Sequence, residues 1–109
     1  MPEEATLVVA IEPLAADTVT VRVQGEFDLA GVEPFHVAVA AACEAAPAVI
    51  ELDLEAVSFI DSSGVGAIVV ASRAAAACGA AMRIGARSPV VERVLEVSGL
   101  EAALRATNL

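Results

Sequence analysis

A chain of 109 residues has room for one hydrophobic core, because dividing it would leave each half too small to fold alone; one domain over 1–109 is expected. Its hydrophobic content of 58% excludes a disordered polymer, and much of that content is alanine, which lets helices lie close to a sheet. Fifteen acidic side chains face six arginines and no lysine, and the resulting net charge of -9 repels phosphate backbones and anionic lipid headgroups, which argues against nucleic acid and membrane surfaces as partners.

The opening Met1-Pro2-Glu3-Glu4 has neither the basic region nor the apolar stretch of a secretory signal. The apolar run from Gly64 to Ala71 stops at Ser72-Arg73, too short to span a bilayer, so a cytoplasmic location is expected. Leu7 to Ile11 reads as a short strand. After a break at Pro13 to Asp17, Thr18 to Gln24 alternates polar and apolar and reads as a second strand, forming a hairpin with the first. Gly25 ends it, and Glu26-Phe27-Asp28 reads as a loop into a helix with Pro34 near its start, where a missing N–H costs little. Phe35, Val39 and either Ala42 or Cys43 form one apolar stripe before Pro47 closes that helix.

Ile50, Leu52 and Leu54 then alternate with Glu51, Asp53 and Glu55, the pattern of a strand with one buried face. Ala56 to Ile60 leads to Asp61-Ser62-Ser63-Gly64, and a helix follows with Val65, Ile68, Val69 and Ser72 on one side, continued by Ala75 or Ala76 and stopped at Gly79. Ala81 to Ala86 reads as a strand. Ser88-Pro89 reads as a cap and first residue of a helix through Val91, Val94 and Leu95 to Gly99, and Ala103 to Thr107 as a last short strand. Strands and helices alternate after the hairpin, so the class is α/β: a mixed, mostly parallel sheet of four to five strands with helices packed on it. Cys43 and Cys78 fall inside predicted helices without metal-ligand spacing and read as buried small hydrophobes in a reducing compartment.

Chemistry gathers at Asp61-Ser62-Ser63-Gly64-Val65-Gly66, where a strand ends and a helix begins. One reading is capping, with Asp61, Ser62 or Ser63 accepting hydrogen bonds from the first free helix N–H groups, worth about 1 kcal/mol. The other comes from pattern. Val57 to Gly66 resembles the signature of STAS-domain anti-sigma factor antagonists, Gly25-Glu26-Phe27-Asp28 resembles that family's turn after its second strand, and Ser88-Pro89-Val90-Val91 with Ser98-Gly99-Leu100 resembles its late helix and exit.

The resemblance implies a partner switch: the unmodified protein binds a kinase-like anti-sigma factor and frees the sigma factor, the same partner phosphorylates the antagonist with ATP, and a phosphatase reverses this. It places the phosphorylated hydroxyl on Ser62 and the partner-binding surface on Asp28, Asp61, Ser62, Ser63, Gly64, Val65 and Gly66. It also implies a further helix after the last strand, for which a strand at 103–107 leaves no room. Within the same family, the alternative is a structural interaction module of a sensory or lipid-transport assembly.

Enzyme readings lack parts. His36, the sole histidine, is far along the chain from Ser62, and no glycine stands two residues before that serine as a nucleophile elbow requires. Gly64-Val65-Gly66 has no phosphate-binding lysine, so ATP belongs to the partner and no cofactor is expected. No metal is expected either, because one histidine and two separated cysteines do not fill a tetrahedral site, and the Glu51, Asp53 and Glu55 carboxylates read as a solvated strand face.

Overall fold

The computed structural model describes residues 7–107; Met1 to Glu4 and the terminal Asn108-Leu109 lie outside the described residues. Strands β1 (Leu7–Ala15) and β2 (Thr18–Phe27) pair antiparallel, as the alternation predicts. β2 runs two residues beyond the expected stop at Gly25, and Glu26 and Phe27 pair with Phe59 and Ile60 of β3 (Val49–Ile60). The loop expected at Glu26-Phe27 is therefore strand. Phe27 is fully buried, and its ring anchors the strand end in the core.

After a short 3-10 turn at Leu29–Gly31, helix α1 (Val32–Cys43) crosses back, and α2 (Ser62–Ala77) does the same after β3, so that β3 and β4 (Ala81–Arg87) both lie parallel to their predecessors. The strand order is β1-β2-β3-β4, a mixed and mostly parallel sheet. Helix α3 (Pro89–Ser98) is capped by Ser88, whose side chain accepts from the Val91 N–H at 3.3 Å, with Pro89 just inside it.

The segment expected as a last strand is helix. Residues 103–107 form the second half of α4 (Leu100–Thr107), whose buried Leu100 and Leu104 stand one turn apart and face β4 and α2. A helix does follow the last strand, and Arg87 ties it down by donating to Glu101 at 2.9 Å and to the Ile84 carbonyl at 3.1 Å. That hydrogen bond holds the Glu101 carboxyl below its ordinary range.

The core is one cluster. Val21, Val23, Ile50, Leu52, Leu54 and Met82 of the strands are fully buried, each contributing roughly 1.5–3 kcal/mol of burial. On α2 the buried stripe is Gly64, Ala67, Ile68, Ala71, Ser72 and Ala75, turned slightly from the expected one, so Val65 and Val69 are only half-buried. Apart from Ile68 the buried positions carry small residues, glycine, alanine and serine, which let α2 lie close to its neighbours. The opposite face of the sheet carries a ladder of ion pairs, Arg22 with Glu12 at 2.9 Å and Asp53 at 3.3 Å, and Arg83 with Glu51 at 3.0 Å. The carboxylates of β3 thus line a solvated face, as their alternation predicts. The cysteines depart from expectation: Cys43 is half-buried and Cys78, the C-cap of α2, is exposed.

Candidate functional site

At the C-terminal ends of the two central strands, the chain turns twice in the same way. Asp28 has φ -115° and ψ -165°, and its carboxylate accepts from the Ala30 N–H at 3.1 Å. Asp61 has φ -120° and ψ -168°, and its carboxylate accepts from the N–H groups of Ser63 at 2.9 Å and Gly64 at 3.3 Å. Two of the four free donors at the start of α2 are satisfied this way. The turns are joined, because the Asp61 N–H donates to the Phe27 carbonyl at 3.4 Å.

Gly64 allows this closeness. A Cβ there would stand 2.6 Å from the Phe27 carbonyl oxygen and 2.9 Å from Ile60 Cγ1, so only a bare α-carbon lets the first turn of α2 rest on the end of β2. Beneath the joint, the Phe27 and Phe35 rings pack with centroids 4.9 Å apart and planes tilted by 58°, which fixes α1 against the same strand end.

Of the three candidate caps, Asp61 does the capping. Ser62, the first residue of α2, is exposed, and its hydroxyl makes no hydrogen bond among the described residues. Ser63 is half-buried, Gly64 is buried, Val65 is half-buried against the core, and Gly66 is exposed with open space where a side chain would project. Asp28 is half-buried at the adjoining turn. All seven expected site residues fall on this one corner, though Gly64 and Val65 face inward and act as its support.

His36 is elsewhere engaged. Its Nε2 lies 3.1 Å from the Ala67 carbonyl, a link from α1 to the second turn of α2. Two exposed apolar side chains, whose exposure the sequence reading does not anticipate, flank the corner: Leu29, 74% exposed, follows Asp28, and Phe59, 44% exposed, stands two residues before Asp61. The available signal was their place, a large apolar residue within two positions of a capping aspartate.

The result is an α/β protein whose candidate site is a turn that exposes the Ser62 hydroxyl. The family model described as Mlab, STAS domain matches residues 12–106. The chain belongs to the STAS-domain family. Among solved structures, it is similar to the anti-sigma factor antagonist SpoIIAA in its unphosphorylated form, at 32% identity over 87% of this chain and 84% of that one, with a TM-score of 0.70. An antisigma-factor antagonist STAS domain from Rhodobacter sphaeroides is 30% identical over 73% of this chain and 86% of its own, with a TM-score of 0.60. The STAS domain of a SulP transporter from Vibrio cholerae, 22% identical over 86% of this chain and 83% of its own, shares the fold at a TM-score of 0.59.

Proposed function

We infer that this protein is a cytoplasmic anti-sigma factor antagonist, a binding module switched by phosphorylation of Ser62. The observation that carries the reading is the exposed, unengaged Ser62 hydroxyl at the first position of α2, in a chain 32% identical to an antagonist across most of both lengths. In the unmodified state a neutral hydroxyl can enter a close protein contact without the desolvation cost of a charge. Partner contacts spread over Asp28, Asp61, Ser62, Ser63 and Gly66, on the platform that Gly64 and Val65 support.

Phosphorylation transfers the γ-phosphoryl group of ATP, held by a kinase-like anti-sigma factor, to the Ser62 oxygen, whose proton leaves to a base on that partner. The phosphate adds about 1.5 to 2 negative charges. Two of the backbone donors beside it, Ser63 and Gly64 N–H, already serve Asp61, so the new charge is set against the capping carboxylate as well as the positive end of α2. The interface is repelled while the fold is kept, and a separate phosphatase restores the binding form.

The test is a panel of kinase-like anti-sigma factors with ATP. The cognate partner should add one phosphate, about 80 Da, mapped to Ser62, and Ser62→Ala should accept none. Phosphate on another residue would overturn the site. Ser62→Asp should keep its circular-dichroism spectrum while binding at least about tenfold more weakly, roughly 1.4 kcal/mol. A hydrolase activity abolished by Ser62→Ala would favour an enzyme instead.

A second reading is supported by the family model's own description, Mlab, STAS domain, and by the fold shared with a transporter's STAS domain. There the same corner would dock permanently in a sensory or lipid-transport assembly. Partner affinity indifferent to Ser62→Asp would select it.

A further inference from the structure

Between α4 and β4, the last strand of the sheet, lies a cavity of about 110 Å³, lined by Met82, Arg83 and Ile84 of the strand and by Glu101, Leu104 and Arg105 of the helix. The three helix residues stand at spacings of one, three and four, so a single face of α4 closes it. Met82, Ile84 and Leu104 are buried and give it an apolar floor. Met82 and Ile84 pair with Ile50 and Leu52, early in β3, which puts the cavity at the other end of the sheet from the Asp61 turn. Its walls are cationic in a chain of net charge -9: of the six arginines, Arg83 and Arg105 line it, and Arg87 holds Glu101 by donating at 2.9 Å. The charge of the one lining carboxylate is thereby matched. Arg83 gives its Nε to Glu51 at 3.0 Å, and its two terminal nitrogens make no hydrogen bond among the described residues. Arg105 is exposed and has neither a hydrogen bond nor an ion pair among the described residues. Two guanidinium groups with spare donors therefore flank one small apolar cavity, the combination of apolar lining and a few polar groups that small-molecule sites use.

We propose that this cavity binds a small organic carboxylate with a short apolar tail. The tail lies on Met82, Ile84 and Leu104, and the carboxylate accepts from the terminal nitrogens of Arg83 and from Arg105, a charge-assisted contact that suits the planar guanidinium fork. At roughly 30 Å³ for each heavy-atom group, the volume admits a tail of about four carbons. An inorganic anion fits less well, because the apolar floor offers no donor to its remaining oxygens and strips them of water. A neutral alcohol of the same length keeps the apolar contact but gives up the charge. Bound there, the carboxylate bridges β4 and α4 at a site separate from the Ser62 corner.

The test titrates the full chain, isotope-labelled at its methionine, isoleucine and leucine methyl groups, with sodium pentanoate at constant ionic strength and follows the methyl signals by NMR. Met82 is a clean reporter, because Met1 is the other methionine of the chain. Its methyl signal should shift saturably together with those of Ile84 and Leu104, with a Kd in the millimolar range. Arg105→Gln should weaken binding by at least about fivefold with an otherwise native spectrum, whereas Arg105→Lys, which keeps the charge, should stay within about threefold of the wild type. Pentanol should bind at least about fivefold more weakly than pentanoate, and acetate, three methylenes shorter, at least about tenfold more weakly. Inorganic phosphate should leave all three methyl signals in place. Methyl shifts that never saturate, an Arg105→Gln variant or a pentanol complex as tight as wild type with pentanoate, or phosphate moving the same signals would overturn the site.

Discussion

The turns after β2 and β3 begin alike. Asp28 and Asp61 share backbone angles to within a few degrees, and each lends its carboxylate to an N–H two residues on. They diverge at the next residue: Leu29 opens a three-residue 3-10 turn ending at Gly31, whereas Ser62 is already the first residue of a 16-residue helix. The Asp61 carboxylate therefore reaches a second donor, Gly64, while that of Asp28 serves one. One solution to chain reversal serves twice, but only the second presents a hydroxyl at the mouth of a long helix. Capping and signalling are separate tasks there, given to neighbouring residues.

The glycine inside each turn breaks the likeness most strongly. Gly64→Val would drive a side chain into the Phe27 carbonyl, which cannot move without disturbing the sheet, and should cost about 3 kcal/mol by urea denaturation. At Gly31 a Cβ would stand 2.7 Å from Leu7 Cδ2, the far end of a flexible side chain, so Gly31→Ala should cost only about 1 kcal/mol. Equal losses would mean that the second turn is no more tightly packed than the first.

The capping carboxylates should rank in the same direction. Asp61→Ala, which frees two donors, should lower stability by about 1.5 kcal/mol, and Asp28→Ala, which frees one, by about 0.5–1 kcal/mol in the same assay. A larger loss at Asp28 would overturn the assignment of Asp61 as the stronger cap. Smallest of all, Ser62→Ala should change the unfolding free energy measured in urea by less than about 0.5 kcal/mol, because its hydroxyl supports nothing inside the fold. A loss near that of Asp61 would make Ser62 a structural residue and remove the basis for a switch.

Much of the architecture was legible because period and composition report directly on faces. The alternation at Ile50, Leu52 and Leu54 predicts their burial, and Ser88-Pro89 announces the start of α3. The C-terminus misled because Ala103 to Thr107 is too short to show a period by itself; only the burial of Leu100 with Leu104, against β4, makes it helical. Likewise Gly25 looked like a stop, yet parallel pairing with β3 carries β2 on to Phe27, since a strand's end is set by its neighbour as much as by its own residues. The site was readable as a segment and a resemblance, but which of Asp61, Ser62 and Ser63 caps the helix was not.

By itself, the sequence determined an acidic, alanine-rich α/β chain with hydroxyls at a strand-to-helix corner, because composition and local spacing act along the backbone. Only the tertiary structure decided that the Asp28 and Asp61 turns touch and that Ser62 is the hydroxyl left unengaged. The first depends on two segments distant in sequence being brought together by the pairing of β2 with β3, and the second on which of three neighbouring side chains the folded turn aims at the free helix donors.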